Sequence, residues 1–172
     1  MKLIKLDAID STNDFLKGIS AQQDPENFTV VTAENQTKGK GQMGAVWNSE
    51  VGKNLIMSVL VKDFLIEINE IFNLNIAVSL AVITTLKKNN IPDLSIKWPN
   101  DILSANKKIS GILIENSIKS DGSIHSIVGL GLNVNQTNFE GLPKASSLAV
   151  ITGQEMDKEE LLLAIVTQLK AN

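Results

Sequence analysis

The sequence lacks both cysteine and arginine across its 172 residues. Without cysteine there are no disulfide bonds, no thiolate nucleophile and no sulfur-based metal site, and we expect a reducing, cytoplasmic location. All 16 basic residues are lysines, so phosphate and carboxylate groups must be recognised by ammonium groups, backbone amides and neutral donors. A net charge of −3 argues against broad electrostatic binding to nucleic acid.

Long hydrophobic runs are scarce as well. The N-terminal residues Met1–Lys5 lack the apolar core of a signal peptide. The longest uncharged run, Ile71–Leu86, contains polar residues such as Asn73 and Ser79, and it is short for a membrane span. We therefore expect a buried helix there and no membrane partner. The length and the 43% hydrophobic content predict one domain with a substantial core.

Apolar periodicity and turn residues divide the chain into strands and helices. Strands are predicted at Leu3–Leu6, Phe28–Thr32, Asn54–Val61, Ser95–Trp98, Ile112–Ile114 and Ile124–Val134, with Asn54–Val61 and Ser95–Trp98 buried. Helices are predicted after Ser11 or Thr12, over Ile71–Asn89, and after Asp157, where Glu160 completes a capping box. Short turns between residues 95 and 134 predict an antiparallel section over the long helix, and the whole order indicates an α+β, or mixed α/β, domain.

The glycine-rich segment Gly39–Gly44 matches the dinucleotide-binding pattern G-x-G-x-x-G literally. That function requires a strand directly before the glycines and a helix directly after them. Here the preceding strand ends several residues earlier, and Trp47, Gly52 and another strand follow. A flexible surface loop is the simplest interpretation. The alternation of Lys38 and Lys40 with glycines also favours an anion-binding loop that closes over a ligand.

The middle of the chain places charged and amide side chains in sequence that is otherwise typical of a sheet core. A strand pair with solvated lysines at its turn explains Lys107, but it does not explain the polar cluster of Lys97, Asn100 and Asp101. A buried lysine is costly unless it is paired or functional. Because successive strand residues point to opposite faces, Lys107 can face solvent while Lys108 enters a site.

Five short motifs occur along nearly the whole chain in a defined order. They are Asp10–Asn13 (DSTN), Gln36–Trp47 (QTKGKGQMGAVW), Lys97–Ile102 (KWPNDI), Lys108–Glu115 (KISGILIE) and Gly129–Asn133 (GLGLN). In this order and spacing the chain resembles the catalytic domain of biotin protein ligases. K-W-P-N-D followed by K-x-x-G-I-L is the most specific part of the match.

The resemblance implies a fold like that of class II aminoacyl-tRNA synthetases and a reaction in two steps. Biotin and ATP would give biotinyl-5′-AMP, and a lysine of a biotin carboxyl carrier protein domain would then accept the biotin. Mg²⁺ would accompany ATP, no protein metal site is expected, and a homodimer is an open expectation. Residues 1–172 are expected to form the catalytic domain alone, without the N-terminal helix-turn-helix or the small C-terminal β domain of some relatives.

The resemblance also assigns roles by position. Lys108 would be the catalytic residue, bridging the biotin carboxylate and the α-phosphate. The positions that would bind biotin are Ser11, Thr12, Asn13, Gln36, Lys40, Gly41, Gln42, Lys108, Gly111, Ile112 and Gly131. The positions that would bind ATP are Lys40, Gln42, Trp47, Lys97, Asn100, Lys108 and Asn133. A fixed ammonium between two reacting anions is independently expected to stabilise the charge that develops on phosphate.

The glycine loop departs from the family pattern, in which three positions are usually arginine. Here those positions are Lys40, Gln42 and Ala45, so two of the three cations have no replacement. Charge-assisted contacts are worth about 1.5–3 kcal/mol each. We therefore expect this loop to retain the intermediate less tightly than an arginine version.

Two other functions fit the same sequence. A lipoate–protein ligase shares the fold and the chemistry but would prefer an apolar pocket floor, whereas the ureido group of biotin needs polar partners such as Ser11, Thr12 and Asn13. A non-catalytic biotin or nucleotide binder would follow if the missing arginines or the missing C-terminal domain abolished the activity. Pyrophosphate release with each acid, and transfer to a carrier, would separate these functions.

Overall fold

The computed structural model describes residues 2–41, 47, 49–64 and 67–172, without the side chain of Ile68. The strands are β1 (Lys2–Ile9), β2 (Thr29–Gln36), β3 (Leu55–Lys62), β4 (Leu94–Lys97), β5 (Asp101–Ser104), β6 (Lys107–Ile118) and β7 (Ile124–Leu132). The helices are α1 (Thr12–Gln22), α2 (Ile71–Lys88), α3 (Leu148–Thr152) and α4 (Lys158–Ala171). A 3₁₀ turn, Ile68–Glu70, precedes α2.

The described strands form one mixed sheet in the order β1-β2-β3-β7-β6-β5-β4. The β1–β2 pair is parallel, with α1 as its crossover, and every other neighbouring pair is antiparallel. A parallel pair needs such a crossover because its two strands run in the same direction. The predicted mixed, largely antiparallel sheet packed on helices is confirmed, and its antiparallel section spans residues 94–132 as expected.

Side-chain alternation along the strands gives the sheet two different faces. One face carries the main core, in which residues such as Val59 and Leu130 pack with α2 and α4. The opposite face carries a smaller cluster of Leu16 from α1 with Val31, Leu60 and Ile127 from three neighbouring strands. A cavity also lies on this second face, beside α1.

The helix ends follow the sequence signals. Ser11 caps α1 by accepting a hydrogen bond from the backbone N–H of Asp14, and Asp157 caps α4 by accepting from Glu159 and Glu160. By length and composition alone α2 could cross a membrane, but half of it is buried inside the domain. Its buried residues belong to the main core, as a core helix requires.

One local expectation was wrong, and one helix was not predicted. The segment Ser95–Trp98, predicted to be buried, is exposed because β4 is the last strand at one edge of the sheet. Trp98 is 53% exposed and rests on Phe72 of α2, with ring centroids 5.5 Å apart. The short helix α3 was not predicted. It begins at the cap Ser147 and ends at Gly153, whose positive φ of 76° favours glycine.

Leu86→Ala should destabilise the domain by about 2–5 kcal/mol, because Leu86 is fully buried in the main core and its loss leaves a cavity. Leu80→Ala provides a matched control on the same helix, since Leu80 is 48% exposed and its truncation should change stability by at most about 0.5 kcal/mol. Urea unfolding measures both. Equal losses from the two variants would contradict the placement of α2.

Candidate active site

The carboxyl ends of the parallel strands bring two of the sequence motifs together, Asp10–Asn13 and the start of Gln36–Trp47. β1 ends just before Ser11, which begins α1, and β2 ends at Gln36 beside it. The chain then continues past β2, where the backbone N–H of Lys38 donates to Asp10 O at 2.7 Å. Open α/β sheets place ligands outside the carboxyl ends of their strands. The parallel β1–α1–β2 unit thus explains why Ser11, Gln36 and the start of the glycine loop meet.

Next to these segments, three glycines of β6 and β7 form a surface without side chains, which is the floor of the cavity. Gly129 and Gly131 are two residues apart on β7, so both face the α1 side of the sheet, and Gly111 of β6 pairs with Gly131. A Cβ atom at Gly129 would lie 2.6 Å from Asn13 Oδ1. A Cβ atom at Gly131 would lie 2.5 Å from Trp47 Cε2. Only glycine permits these close approaches.

The indole ring of Trp47 covers this floor. Its backbone N–H donates to Gly39 O at 3.0 Å, which ties the two ends of the glycine loop together. The ring lies above Gly111 and Gly131, and Lys108 Nζ is 5.4 Å from its centroid, within cation–π range. Trp47 therefore forms a wall between the glycine loop and the strands β6 and β7.

Together these elements enclose a cavity of about 250 Å³. Its described lining residues are Ser11, Thr12, Asn13, Gln36, Lys40, Gly41, Trp47, Ile56, Met57, Asn100, Asp101, Lys108, Gly111, Ile112, Leu113, Gly129, Leu130 and Gly131. Apolar walls with a few converging polar groups are typical of small-molecule sites.

One end of the cavity is a buried polar cluster. Gln36 Oε1 accepts from the backbone N–H of Thr12 at 2.8 Å. Ser58 Oγ lies 2.7 Å from Thr12 Oγ1 and 2.5 Å from Asn13 Oδ1. Ser58, Thr12 and Asn13 are all at most 5% exposed. These groups are held rigidly, so they can recognise the polar pattern of a ligand rather than adapt to it.

The other end of the cavity carries a cation held by a carboxylate. Lys108 Nζ lies 3.0 Å from Asp101 Oδ1, and since the angle falls outside hydrogen-bond geometry the contact is mainly electrostatic. Residues 144–146 fix the backbone of Lys108, which donates to Lys144 O and accepts from the N–H of Ser146. Lys107 is exposed on the opposite face, as strand alternation predicted.

A second group of charges lies at the mouth of the cavity. Lys40 Nζ is 2.7 Å from Asp14 Oδ1 and 3.5 Å from Glu115 Oε1, and Lys17 pairs with Glu115. The hydrogen bond that Lys40 donates to Asp14 raises the pKa of Lys40 and outweighs the opposing effect of its partial burial. Burial alone would raise the pKa of Glu115, but hydrogen bonds from Lys17 and Asn13 and the nearby ammonium charges lower it overall.

The structure brings most of the predicted site residues together. Those that line the cavity are Ser11, Thr12, Asn13, Gln36, Lys40, Gly41, Trp47, Asn100, Lys108, Gly111, Ile112 and Gly131. Lys97 is exposed on β4 and Asn133 is buried while donating to Ser146 O, and neither is among the lining residues. Gln42 lies outside the described residues. The roles assigned to these residues remain predictions.

Some residues that line the cavity or lie beside it were not predicted as site residues. Ser58 lies in an otherwise apolar strand, and Glu115 joins Asn13 across 102 positions of sequence, so neither shows a local signal. The spacing of Gly129 and Gly131 was a usable signal, because i and i+2 share one face of a strand. Asp101 stood out only as part of a polar cluster, and the structure shows that it holds Lys108.

Gly131→Ala should displace the Trp47 ring, because the new Cβ would meet it at 2.5 Å and β7 is held by neighbours on both sides. In a Trp98→Phe background, where Trp47 is the remaining tryptophan, the fluorescence emission should shift to the red. Gly18→Ala is the control, since nothing lies within 4 Å of a Cβ there. An unchanged spectrum for Gly131→Ala would contradict the position of the ring.

This fold and cavity agree with a known family, whose description is biotin/lipoate A/B protein ligase; its sequence profile matches residues 6–133. The bifunctional ligase/repressor BirA of Bacillus spizizenii is 32% identical over 168 residues, covering 95% of this chain and 51% of that protein. The biotin–[acetyl-CoA-carboxylase] ligase of Mycobacterium tuberculosis is 30% identical over 164 residues, covering 94% of this chain and 60% of that protein. The chain thus spans about half the length of the curated relatives it matches.

Solved structures agree with the sequence comparisons. The biotin protein ligase from Aquifex aeolicus in complex with biotin and ATP has a TM-score of 0.82 and 33% identity, covering 99% of this chain and 69% of that chain. A P. falciparum protein in complex with lipoate, at 14% identity and a TM-score of 0.64, shares the fold alone. The predicted resemblance is confirmed: the chain belongs to the biotin/lipoate A/B protein ligase family, and within it is similar to biotin protein ligases.

Proposed function

We propose that this chain activates biotin with ATP to biotinyl-5′-AMP and transfers the biotin to a lysine of a biotin carboxyl carrier protein domain. The observation that carries this proposal is the position of Lys108. Its ammonium, paired with Asp101, lines the same cavity as Thr12 and Asn13 of the buried polar cluster. The similarity to the A. aeolicus ligase, which was solved with biotin and ATP, supports the same choice of substrates.

In the first step two anions must approach each other. The biotin carboxylate attacks the α-phosphorus of ATP, a C–O–P linkage forms, and pyrophosphate leaves with the electrons of the broken P–O bond. Lys108 lowers the barrier by placing a positive charge where the two anions meet and where negative charge develops. Asp101 keeps this ammonium in position at 3.0 Å. The backbone hydrogen bonds of Lys108 to Lys144 and Ser146 fix the strand that carries it.

Mg²⁺ fits this site only as a companion of the nucleotide. Among the described residues that line the cavity, Asp101 is the one carboxylate, and Asn100 beside it offers an amide oxygen. Within the described ranges there is also no group of three acidic or histidine side chains that could hold an ion alone. A single carboxylate plus substrate phosphates is the usual Mg²⁺ arrangement. When bound, the ion supplies further charge neutralisation on the phosphates.

The polar end of the cavity favours biotin over lipoate as the acid. Thr12, Asn13 and Ser58 are almost fully buried, and together with the half-buried Gln36 they form a hydrogen-bonded group of polar side chains. These groups already bond to one another, but a dithiolane ring would leave the donor or acceptor sites that they turn to the cavity unsatisfied, at a cost of about 1–3 kcal/mol per site. A ureido ring, which carries two N–H donors and one carbonyl acceptor, can satisfy them.

In the second step the acceptor is a neutral lysine amine of the carrier. The amine attacks the acyl carbon of the adenylate, an amide bond forms, AMP leaves and the amine loses a proton. No side chain of this protein needs to become covalently attached at any point, which agrees with the absence of cysteine.

Lys108→Ala should lower biotin-dependent pyrophosphate release from ATP by at least about 100-fold, because removing one preorganised charge partner typically costs that much. Biotin affinity should change far less, since the groups proposed to bind the ring, Thr12, Asn13 and Ser58, bond to one another and remain in place. Pyrophosphate release and calorimetric biotin binding measure the two effects separately.

Lys107→Ala is the matched control, because Lys107 is the adjacent exposed lysine on the opposite face of β6. Its activity should equal that of the wild type. Full activity of Lys108→Ala would remove Lys108 from the proposed role. Release that depends on lipoate rather than on biotin would overturn the choice of substrate.

A further inference from the structure

Glu115 occupies an unusual position beside the polar end of the cavity. It lies on β6, on the same face of the sheet as Gly111 and Leu113, and its side chain is only 26% exposed. Its carboxylate meets Lys17 and Lys40 on one side and Asn13 on the other. It does not itself line the cavity, so any effect on a ligand must pass through the residues it touches.

The carboxylate of Glu115 fixes the orientation of the Asn13 side-chain amide. Asn13 Nδ2 donates to Glu115 Oε1 at 2.9 Å and, more weakly, to Leu113 O at 3.4 Å. Both partners can only accept hydrogen bonds when Glu115 is ionised. If the Asn13 amide were rotated by 180°, its oxygen would face Glu115 Oε1 and Leu113 O, which are both acceptors. Asn13 Oδ1 must therefore point the other way, towards Ser58.

The orientation of the Asn13 amide determines to which oxygen each hydroxyl group of the polar cluster donates its hydrogen bond. Because Asn13 Oδ1 can only accept, the hydroxyl of Ser58 must donate to it across the 2.5 Å contact. Ser58 Oγ then accepts across its 2.7 Å contact with Thr12, so the hydroxyl of Thr12 is the donor there. The alternative acceptor for Thr12, Gln36 Oε1, is farther away at 3.3 Å and already accepts from the Thr12 backbone.

We propose that Glu115 is a positioning residue that sets the donor and acceptor order of the polar cluster and thereby selects a ring that carries N–H donors. With its hydrogen directed at Ser58, Thr12 Oγ1 presents a lone pair to the cavity. An N–H group of a cyclic urea matches that lone pair, whereas a ring without N–H donors leaves it unsatisfied. The inference rests on the proposed function and assigns the basis of its specificity to a residue outside the cavity.

The surrounding charges keep Glu115 in the form that this role requires. Lys17 and Lys40 both lie against it, and its pKa is lowered overall despite the opposing effect of burial. Asp14, the other carboxylate in this group, is occupied by Lys40 at 2.7 Å. Glu115 therefore remains ionised, and acts only as an acceptor, at neutral pH.

Glu115→Gln should weaken biotin binding by about tenfold, the value of roughly one hydrogen bond, because a glutamine amide can either donate or accept and no longer fixes the Asn13 amide. Affinity for ATP and the rate of adenylation at saturating biotin should stay within about twofold of the wild type. Calorimetry with each ligand alone and pyrophosphate release measure these quantities. The matched control is Glu159→Gln. Glu159 lies on α4 and pairs with Lys5, so this variant also removes an ion-paired carboxylate, but one far from the polar cluster in sequence.

A double variant separates positioning from simple support of the fold. In Asn13→Asp/Glu115→Gln the new carboxylate at position 13 accepts both from the Ser58 hydroxyl and from the glutamine amide. The donor and acceptor order of the wild-type polar cluster is restored, and the net charge is unchanged. Biotin affinity should therefore return to within about threefold of the wild type. This recovery would not occur if Glu115 only stabilised the surrounding structure.

The inference is overturned if Glu115→Gln binds biotin within twofold of the wild type. It is also overturned if Glu115→Gln loses affinity for biotin and ATP equally and the double variant repairs neither. A wild-type protein that binds no biotin would instead refute the proposed function, so the two failures can be distinguished.

Discussion

The cavity depends on a close approach that only residues without side chains allow. Gly111, Gly129 and Gly131 share one face of two neighbouring strands, and an added Cβ atom at Gly129 or Gly131 would overlap Asn13 or Trp47. Because the period of a strand is two residues, the alternate positions of the same strands remain apolar and build the core on the opposite face. The alternation of side chains along β6 and β7 thus gives a packed core on one face and a glycine-lined cavity floor on the other.

Around this floor the charged groups are paired before any ligand binds. Lys108 is held by Asp101, Lys40 by Asp14, and Lys17 by Glu115. A cation near a partly buried cavity is costly without a partner, so each carboxylate offsets part of that cost. These pairs form two clusters: Lys108 with Asp101 lies beside the proposed meeting point of the substrates, and the pairs of Lys40 and Lys17 lie beside the buried polar cluster. This separation allows chemistry and recognition to be altered independently.

Much of the fold could be predicted because its signals are local. The cap at Ser11, the periodicity of α2, the apolar strand β3 and the alternation that separates Lys107 from Lys108 all follow from neighbouring residues. The motifs then predicted most of the cavity lining through a family resemblance.

What could not be predicted depends on contacts between distant parts of the chain. The exposure of Ser95–Trp98 follows from the place of β4 at the sheet edge, which apolar content does not reveal. The parallel β1–β2 pairing, the polar role of Ser58 and the link between Glu115 and Asn13 arise only when segments far apart in sequence meet. Lys97 belongs to a family motif but does not line the cavity. It pairs with the lining residue Asp101 from β4, the edge strand, and so lies one strand farther from the cavity.

The most direct test of the central claim is the mass of a biotin carboxyl carrier protein domain after incubation with this chain, biotin, ATP and Mg²⁺. The proposed function predicts an increase equal to one biotinyl group on a single lysine, dependent on ATP and absent when Lys108 is replaced by alanine. An unchanged carrier mass with the wild-type chain, under conditions where a known biotin protein ligase modifies the same carrier, would contradict it.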